Sequence, residues 1–246
     1  MVAGTRMSTG TSTGTGTRTA VVTGGGTGIG RAIAAELVAR GLEVVVTGRR
    51  EDVLAATAAE IGARAVAFDA ADPDQVEAAP ADLPSTVDVL VNNAGGLAGG
   101  DDLKSQWLAT CESNVVTAVL VTTALEPRLA EQARVVTIGS IAGRRGGGSY
   151  GAAKAAVEAW TAELAFKLGG RGITANVVSP GFIEDTEFFG GAMTDQRRAT
   201  LIAQTANGRA GTPADVAATV AFLTSPEAGH ITGQVVPVNG GAHLGR

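Results

Sequence analysis

The stretch TAVVTGGGTGIGRAIAAELVAR, from Thr19 to Arg40, decides how this chain folds. TAVVT is a short apolar run typical of a buried strand, whereas the residues after the glycines place Ile29, Ile33 and Leu37 on one face of a helix. The turn that joins them, TGGGTGIG, is glycine-rich. A strand, a glycine turn and a helix in this order predict the first βα unit of a parallel sheet.

The same alternation continues along the chain. Further apolar runs predict strands, at 43–47, 64–68, 87–91, 133–138, 173–178 and 234–238. The segments between them predict helices, at 52–61, roughly 103–126, 150–168 and 213–224, with a short acidic helix before residue 87. Continuous Val-rich strands alternating with helices indicate an α/β fold with a doubly wound parallel sheet, about seven strands covered by helices on both faces.

The pattern predicts a single domain, residues 19–246, without an internal repeat or linker. Residues 1–18, MVAGTRMSTGTSTGTGTR, are rich in Thr, Ser and Gly and predict a disordered tail, since they have almost nothing to bury. A binding arm is the alternative for this segment. Met7 is a second possible start of the chain.

Composition excludes several classes of protein. The 246 residues are 45% hydrophobic and 17% charged, which is enough for one large core. The net charge of −5 argues against a nucleic-acid partner. A single cysteine, Cys111, excludes an internal disulfide and fits a reducing cytoplasm, and with only His230 and His243 a zinc site is not expected. No apolar run approaches the roughly 18 residues that span a membrane, so we expect a cytoplasmic protein with no metal and no membrane partner.

The glycine turn predicts a dinucleotide site. Glycines allow close approach of the backbone, and the N-terminus of the following helix offers free N–H groups to a pyrophosphate. The spacing is Gly24, Gly28, Gly30 rather than G-x-G-x-x-G, and the Gly-Lys-Ser/Thr of a nucleoside-triphosphate loop is missing. A tight structural turn is the alternative, but the position after the first strand favours a dinucleotide.

The second predicted strand bears on the choice of cofactor. It ends in VVVTGRR, with Gly48 where an NAD site normally has an acidic residue for the ribose 2′-hydroxyl. Arg49 and Arg50 follow, and guanidinium groups suit a 2′-phosphate. We therefore expect NADP(H) to be favoured over NAD(H). The alternative is that the two arginines only solvate the start of a helix.

Tyr150 is the only tyrosine in the chain, and Lys154 follows it one helical turn later. Residues four apart share a helix face, so the ammonium is expected beside the phenol. A neighbouring positive charge favours the phenolate and is expected to lower the tyrosine pKa from its usual value near 10. Such a phenol is suited to proton transfer near neutral pH.

Several motifs follow one another in a fixed order: TGGGTGIG, NNAG (92–95), Asn114, IGSIAG (138–143), YGAAK (150–154), RGITANVVSPGFI (171–183) and GRAGTPADVAATVAFLTS…ITGQVVPVNGG. In this order the chain, from about residue 19 to 243, resembles the single-domain short-chain dehydrogenases/reductases. The resemblance is strongest to the branch that contains bacterial 3-oxoacyl-carrier-protein reductases.

The resemblance implies a dinucleotide-binding and catalytic domain that transfers hydride between NADP(H) and a carbonyl or secondary alcohol. It implies four catalytic residues: Asn114, Ser140, Tyr150 and Lys154. Tyr150 would exchange a proton with the substrate oxygen, Ser140 would hydrogen-bond that oxygen, and Lys154 would also bond the nicotinamide ribose. Asn114 would hold a water that relays protons; a buried amide bonding the backbone is the alternative, and a kinked helix would permit both. Ser140 has the alternative of a cap or turn serine.

The resemblance also implies the cofactor contacts: Gly24, Thr27, Gly28, Ile29, Gly30, Arg49, Arg50, Asp69, Asn92, Ala94, Gly95, Tyr150, Lys154, Pro180, Gly181 and Ile183. Asp69 would contact the adenine, although it could equally cap a helix. Asn92 and Gly95 would line the adenosine side, and Pro180 and Gly181 would lie near the nicotinamide, with a structural turn as the alternative.

The chain departs from this branch at three places. Only nine residues separate Ser140 from Tyr150, two or three fewer than in the branch, and we expect Gly146–Gly148 to let the shortened segment close. After SPGFI an extra residue enters an insert near 183–211, which we interpret as a substrate lid or as a helix packing its apolar side. The expected substrate contacts there are Phe182, Phe188 and Phe189. Asn239 stands where the branch commonly has an Asp before the final Gly-Gly pair.

The expected activity is reduction of a 3-oxoacyl thioester or a similar ketone. A thioester carried by a carrier protein would need basic docking residues, for which Arg144, Arg145 and Arg171 are candidates, with generic surface charge as the alternative. A dehydrogenase oxidising a secondary alcohol of a sugar, steroid or secondary metabolite is the alternative. A non-catalytic dinucleotide sensor is a third, opposed by the complete serine, tyrosine and lysine set. The apolar helices at 115–125 and 150–168 are expected to pack across a two-fold axis in a homotetramer, the alternative being an unusually buried monomer core.

Overall fold

The computed structural model describes residues 16–189, 191 and 193–244 of the protein. In this part of the chain one sheet contains seven parallel strands in the order β3, β2, β1, β4, β5, β6, β7. The strands are β1 Thr19–Thr23, β2 Glu43–Gly48, β3 Arg64–Ala67, β4 Val87–Asn92, β5 Leu129–Ile138, β6 Thr174–Pro180 and β7 Val235–Val238. The predicted doubly wound α/β fold is confirmed.

The helices of the described residues are α1 Gly28–Ala39, α2 Glu51–Ile61, α3 Pro73–Ala78, α4 Leu103–Cys111, α5 Thr117–Leu125, α6 Ala142–Arg145, α7 Gly148–Leu168, α8 Asp195–Ala203 and α9 Pro213–Leu223. Helices α1, α2 and α9 pack on one face of the sheet, and α3, α5 and α7 pack on the other. Helix α6 was not predicted, whereas α8 agrees with the helix offered as one interpretation of the insert near 183–211. They lie in the short segment before Tyr150 and in the insert after β6.

Each face of the sheet has its own apolar core. Ala20 and Val22 of β1 belong to the core under α1, whereas Val21 between them belongs to the core on the opposite face. All three residues are fully buried. Because successive side chains of a strand point to opposite faces, a strand buried on both sides must be apolar throughout, and this explains the continuous valine runs.

The long helix predicted at roughly 103–126 is interrupted. Residues Glu112–Val116 form a π-helical turn between α4 and α5, and a short 3-10 turn follows at Glu126–Arg128. By length and composition alone, the helical stretch Leu103–Arg128 could cross a membrane, which corrects the expectation that no run approaches that length. Serines and threonines interrupt the apolar residues of this stretch, so its high mean hydropathy is not visible as a continuous apolar run in the sequence. A core helix passes the same test, and Val121 and Leu125 of this stretch belong to a core cluster.

The order of the strands positions a cleft. The chain leaves β1 toward α1 on one face, and β4, its neighbour in the sheet, is followed by helices on the other face. Ligands of open α/β sheets bind at the carboxyl ends of the strands where the connections diverge in this way.

Of the predicted tail, residues 1–15 lie outside the described part of the chain. The Arg18 carbonyl accepts a hydrogen bond from the Glu43 N–H at 2.9 Å.

Candidate active site

A cavity of about 830 Å³ opens along the carboxyl ends of the strands. It brings together most of the residues expected from the sequence, namely Gly24, Thr27, Gly28, Ile29, Gly30, Arg49, Arg50, Asp69, Ala94, Gly95, Ser140, Tyr150, Lys154, Pro180, Gly181, Ile183 and Phe188. Asn92, Asn114 and Phe182 do not line it. The side chain of Phe189 lies outside the described part of the structure.

The glycine turn fits a pyrophosphate. A Cβ on Gly30 would lie 2.2 Å from the carbonyl oxygen of Gly24, so only glycine allows the backbone to pass there. Thr27 precedes α1 without capping it through its side chain. The first N–H groups of α1 therefore remain available to an anion at the helix N-terminus.

The two asparagines of the NNAG motif face opposite sides of the sheet. Asn92, the last residue of β4, is buried and donates through Nδ2 to Thr122 Oγ1 of α5 at 2.8 Å. Asn93 faces the cavity, and its Nδ2 donates to the carbonyls of Thr23 at 2.9 Å and Gly24 at 3.1 Å. The Asn92 side chain therefore does not line the cavity, because the alternation along the strand turns it into the core, and the cofactor contact expected at Asn92 stays a prediction. Asn93 is the residue that sequence reasoning missed.

Asp69 lines the cavity beyond β3 and closes a local turn. Its carboxylate accepts a hydrogen bond from the Ala71 N–H at 3.0 Å. The cap of α3 is Asp72, whose side chain accepts from the N–H groups of Asp74 and Gln75. The helix-cap alternative for Asp69 is therefore wrong, and the adenine contact stays a prediction.

Lys154 is buried beneath Tyr150 on α7. Its Nζ donates to the Ile138 carbonyl at 2.9 Å and lies 5.7 Å from the centre of the Tyr150 ring. Burial lowers the pKa of Lys154 to about 8. The two side chains share one helix face, as the spacing predicted.

The pKa of Tyr150 differs from the expectation. Burial raises it to about 12, and a hydrogen bond with the Ser140 side chain opposes that rise only in part. The sequence argument considered the charge of Lys154 but not the loss of water around the phenol, which disfavours the charged form. The opposing effect of Ser140 on this pKa nevertheless indicates that the two side chains lie near each other in the cavity.

The short segment between these two residues closes by a single helical turn, α6, followed by three glycines. Gly146, Gly147 and Gly148 have φ angles of 84°, 156° and 59°, which a residue with a side chain rarely adopts. The Ser140 Oγ also accepts from the Ala142 N–H at 3.2 Å. Ser140 is therefore both a turn serine and a neighbour of the phenol, and the expected closure through Gly146–Gly148 is confirmed.

The arginines considered for carrier-protein docking all have partners within the chain. Arg144 pairs with the buried Glu158, and Arg145 donates to Gln204 Oε1 at 3.0 Å. Arg171 donates to Glu131 and to two backbone carbonyls. All three arginines are engaged within the chain, so they give no independent support to a docking surface.

Asn114 produces the π-helical turn between α4 and α5. Its Nδ2 donates to the carbonyls of Thr110 at 2.9 Å and Gly96 at 2.8 Å, while its Oδ1 accepts from the Gly96 N–H at 3.0 Å. A side chain that takes a carbonyl within its own helix disturbs the regular ladder. The alternative of a buried amide bonding the backbone is confirmed, and the water relay stays a prediction.

The segment after β6 crosses the cavity. Ile183, Thr186, Glu187 and Phe188 line it, and the Phe188 ring lies 5.3 Å from the Tyr150 ring at an interplanar angle of 57°. Phe182 precedes this crossing and does not line the cavity; its carbonyl accepts a 2.9 Å hydrogen bond from the Gly211 N–H, and the substrate contact expected at Phe182 stays a prediction. No signal in the sequence pointed to Glu187, which reaches Arg50 only through the fold.

The adjacent asparagines provide a matched pair of variants. We expect Asn93→Ala to weaken NADPH binding roughly thirtyfold, since two hydrogen bonds of about 1 kcal/mol each hold the glycine turn. Asn92→Ala is expected to lower the free energy of unfolding by about 1 kcal/mol and to leave NADPH binding unchanged. Fluorescence titration and denaturant unfolding measure the two effects. Equal weakening of binding by both variants would contradict the assignment.

Comparison with known proteins places this geometry in a family. A family model described as enoyl-(acyl carrier protein) reductase matches residues 24–243. The 3-oxoacyl-(acyl-carrier-protein) reductase of Escherichia coli (strain K12) is 37% identical over 229 residues, which cover 87% of this chain and 92% of that protein.

Solved structures agree with this. A short-chain dehydrogenase/reductase from Brucella melitensis, described as SDR:glucose/ribitol dehydrogenase, has a TM-score of 0.85 and 32% identity over 93% of this chain and 97% of its own. A blue fluorescent protein from a metagenomic library, in complex with NADPH, has a TM-score of 0.84 and 35% identity over 92% and 98% of the two chains. Fold, motif order and similarity together show that this chain belongs to the short-chain dehydrogenase/reductase family of oxidoreductases.

Proposed function

We propose that this protein is an NADP(H)-dependent reductase of ketones, with a 3-oxoacyl thioester as its substrate class. The observation that carries this proposal is that Ser140, Tyr150 and the buried Lys154 line the same cavity as the glycine turn, with Ser140 near enough to the phenol to lower its pKa. Two hydroxyl groups that converge beside a buried ammonium suit an oxygen that gains negative charge and then a proton. The bound nicotinamide supplies the hydride.

Tyr150 donates the proton in this mechanism. With a pKa raised to about 12, the phenol keeps its proton at neutral pH. An aliphatic alkoxide is a stronger base than a phenolate, so proton transfer from Tyr150 to the new alkoxide is favourable. Ser140 donates a hydrogen bond to the same oxygen, and the Lys154 ammonium stabilises the phenolate that remains.

The protonated phenol favours reduction over the alternative of alcohol oxidation. Oxidation requires a base that accepts the hydroxyl proton, and a phenol with a raised pKa is a poor source of phenolate at neutral pH. A non-catalytic sensor would have no need of a buried lysine beside a lone tyrosine. Both alternatives are therefore less well supported than reduction.

The proposed preference for NADP(H) rests on the end of β2. Gly48 offers no carboxylate to a ribose 2′-hydroxyl, and Arg49 and Arg50 line the cavity beside it. A similar structure contains NADPH. The residues that would hold the pyrophosphate are those of the glycine turn, with Asn93 supporting them from below.

The substrate class is supported by the relatives and by the donor set. The Escherichia coli relative is named as a 3-oxoacyl reductase, whereas the family model carries the name of an enoyl reductase. Two hydroxyl donors at one point can both hydrogen-bond a single carbonyl oxygen, which is the atom that gains charge and a proton in ketone reduction, so the donor set fits a carbonyl. Phe188 and Leu97 line the cavity, and the segment near 183–211 is proposed as the substrate lid. A carrier protein bearing the thioester and a cytoplasmic location are parts of the same proposal.

A homotetramer is also proposed. Leu103, Trp107 and Leu108 on α4 are large apolar side chains exposed to 72%, 46% and 60%, and Phe166 on α7 is exposed to 91%. Exposed apolar surface of this kind marks interfaces between proteins.

The role of Tyr150 is tested by removing its hydroxyl. Tyr150→Phe is expected to lower kcat for reduction of a 3-oxoacyl thioester by about 10²- to 10⁴-fold, because the proton donor is lost. Ser149→Ala is the matched control, since it removes the neighbouring hydroxyl, which bonds Thr110 and does not line the cavity. NADPH oxidation is followed with the oxoacyl and the corresponding enoyl thioester. Full turnover by Tyr150→Phe, or preferential reduction of the enoyl compound, would overturn the proposal.

Reduction is expected to slow as the pH rises through about 8. Burial lowers the pKa of Lys154 from 10.5 to about 8, so its ammonium is charged below that pH and neutral above it. Tyr150 keeps its proton until about pH 12, so it does not contribute to the decline. The measurement is kcat/KM for the ketone between about pH 6 and about pH 10. A rate that increases across this range would contradict the assigned roles.

Light scattering tests the assembly. The expected mass is that of four chains, and Leu108→Glu on α4 is expected to shift the population to smaller species by placing a charge in an apolar contact. Ser149→Ala again serves as the control. A wild-type particle with the mass of one chain at micromolar concentration would refute the tetramer.

A further inference from the structure

Three side chains from distant parts of the chain meet at the adenosine end of the cavity. Oε2 of Glu187 accepts hydrogen bonds from Arg50 Nη2 at 3.0 Å and from Thr27 Oγ1 at 3.4 Å. Arg50 Nη2 also lies 3.5 Å from Thr27 Oγ1. All three residues line the cavity, so the carboxylate of Glu187 sits on the guanidinium group that would bind a cofactor phosphate.

The ion pair between Arg50 and Glu187 can exchange its partners. The Arg50 and Glu187 side chains are 56% and 66% exposed, and exposed pairs of this kind contribute little to stability. The pair of Arg209 and Asp215 differs, because both guanidinium nitrogens bind the carboxylate, which also belongs to the capping box of α9. Arg50 can therefore exchange its carboxylate for another anion, whereas Arg209 stabilises the start of α9 through Asp215.

Glu187 cannot move far when Arg50 takes another anion. The next residue, Phe188, packs against the Tyr150 ring, and Thr186 on the other side lies against Gly28. The hydroxyl of Thr186 also donates to the Ile183 carbonyl at 3.4 Å. The carboxylate thus stays within a few ångströms of any group bound at Arg50, where charges still interact through water.

This arrangement treats the two nicotinamide cofactors differently. A 2′-phosphate at Arg50 must displace the carboxylate and then stand beside its negative charge. The neutral 2′-hydroxyl of NAD(H) does neither, because it brings no charge to the guanidinium group. The pyrophosphate is common to both cofactors, so the additional cost of the carboxylate falls on the cofactor that carries the 2′-phosphate.

We propose that Glu187 is a specificity-determining residue that competes with the cofactor 2′-phosphate for Arg50 and so limits the preference for NADP(H) over NAD(H). This inference rests on the proposed NADP(H) function and concerns how strongly NADP(H) is preferred over NAD(H). The residue acts through its charge, so Glu187→Gln, which keeps the shape of the side chain, is the variant that isolates the effect.

The experiment measures dissociation constants of NADPH and NADH by fluorescence titration at low ionic strength. Glu187→Gln is expected to tighten NADPH binding roughly two- to fivefold more than it tightens NADH binding, the range of exposed ion pairs, so that the ratio of the two dissociation constants changes. The gain is expected to shrink as salt is added, because salt screens exposed charges. In the Arg50→Gln background the same substitution is expected to have no effect on NADPH.

Glu184→Gln is the matched control. Glu184 lies three residues earlier, pairs with Arg198 of α8 and does not line the cavity, so its loss removes an equal charge from the same segment. It is expected to leave the ratio of the two dissociation constants unchanged. An unchanged ratio in Glu187→Gln, or an equal shift in Glu184→Gln, overturns the role of Glu187. Wild-type protein that binds NADH as tightly as NADPH refutes the proposed cofactor preference instead.

Discussion

The hydrogen bond from Lys154 Nζ to the Ile138 carbonyl, 2.9 Å long, joins helix α7 to the last residue of strand β5. Ser140 follows that strand after one residue, and Tyr150 lies one helical turn before the lysine. An ammonium buried to 4% exposure requires such an acceptor, because a charge taken out of water without a partner is strongly unfavourable. This one contact therefore helps to fix the positions of Ser140, Tyr150 and Lys154 relative to one another.

The two ends of the cavity follow different electrostatics. Around Tyr150 and Lys154 desolvation dominates, and it raises the pKa of the phenol while lowering that of the ammonium. Around Arg50 and Glu187 the groups are exposed, so their charges remain and their partners exchange. In the proposed reaction, proton transfer uses the first environment, and recognition of the cofactor 2′-phosphate uses the second.

Several features of the site could be predicted from the sequence because they depend on local order. The four-residue spacing of Tyr150 and Lys154 places them on one helix face in any helix that contains them. The glycine turn after β1 has its conformation because Gly30 must pass close to Gly24. The alternation of strands and helices likewise predicted a parallel sheet, since valine runs buried on both faces have few other solutions. The neighbouring Asn92 and Asn93 were harder, because only the exact end of β4 tells which one faces the cavity.

The sequence by itself determined the fold class and the family resemblance, since these follow from periodicity and motif order, and the resemblance in turn named the serine, tyrosine and lysine. Only the tertiary structure decided that burial raises the pKa of Tyr150, that α6 and three glycines close the shortened segment, and that Asn114 clamps Gly96. The same is true of the contact between Arg50 and Glu187, which are 137 residues apart in the chain. The physical reason is that burial and long-range contact depend on how elements pack around one another, which no local pattern of residues records.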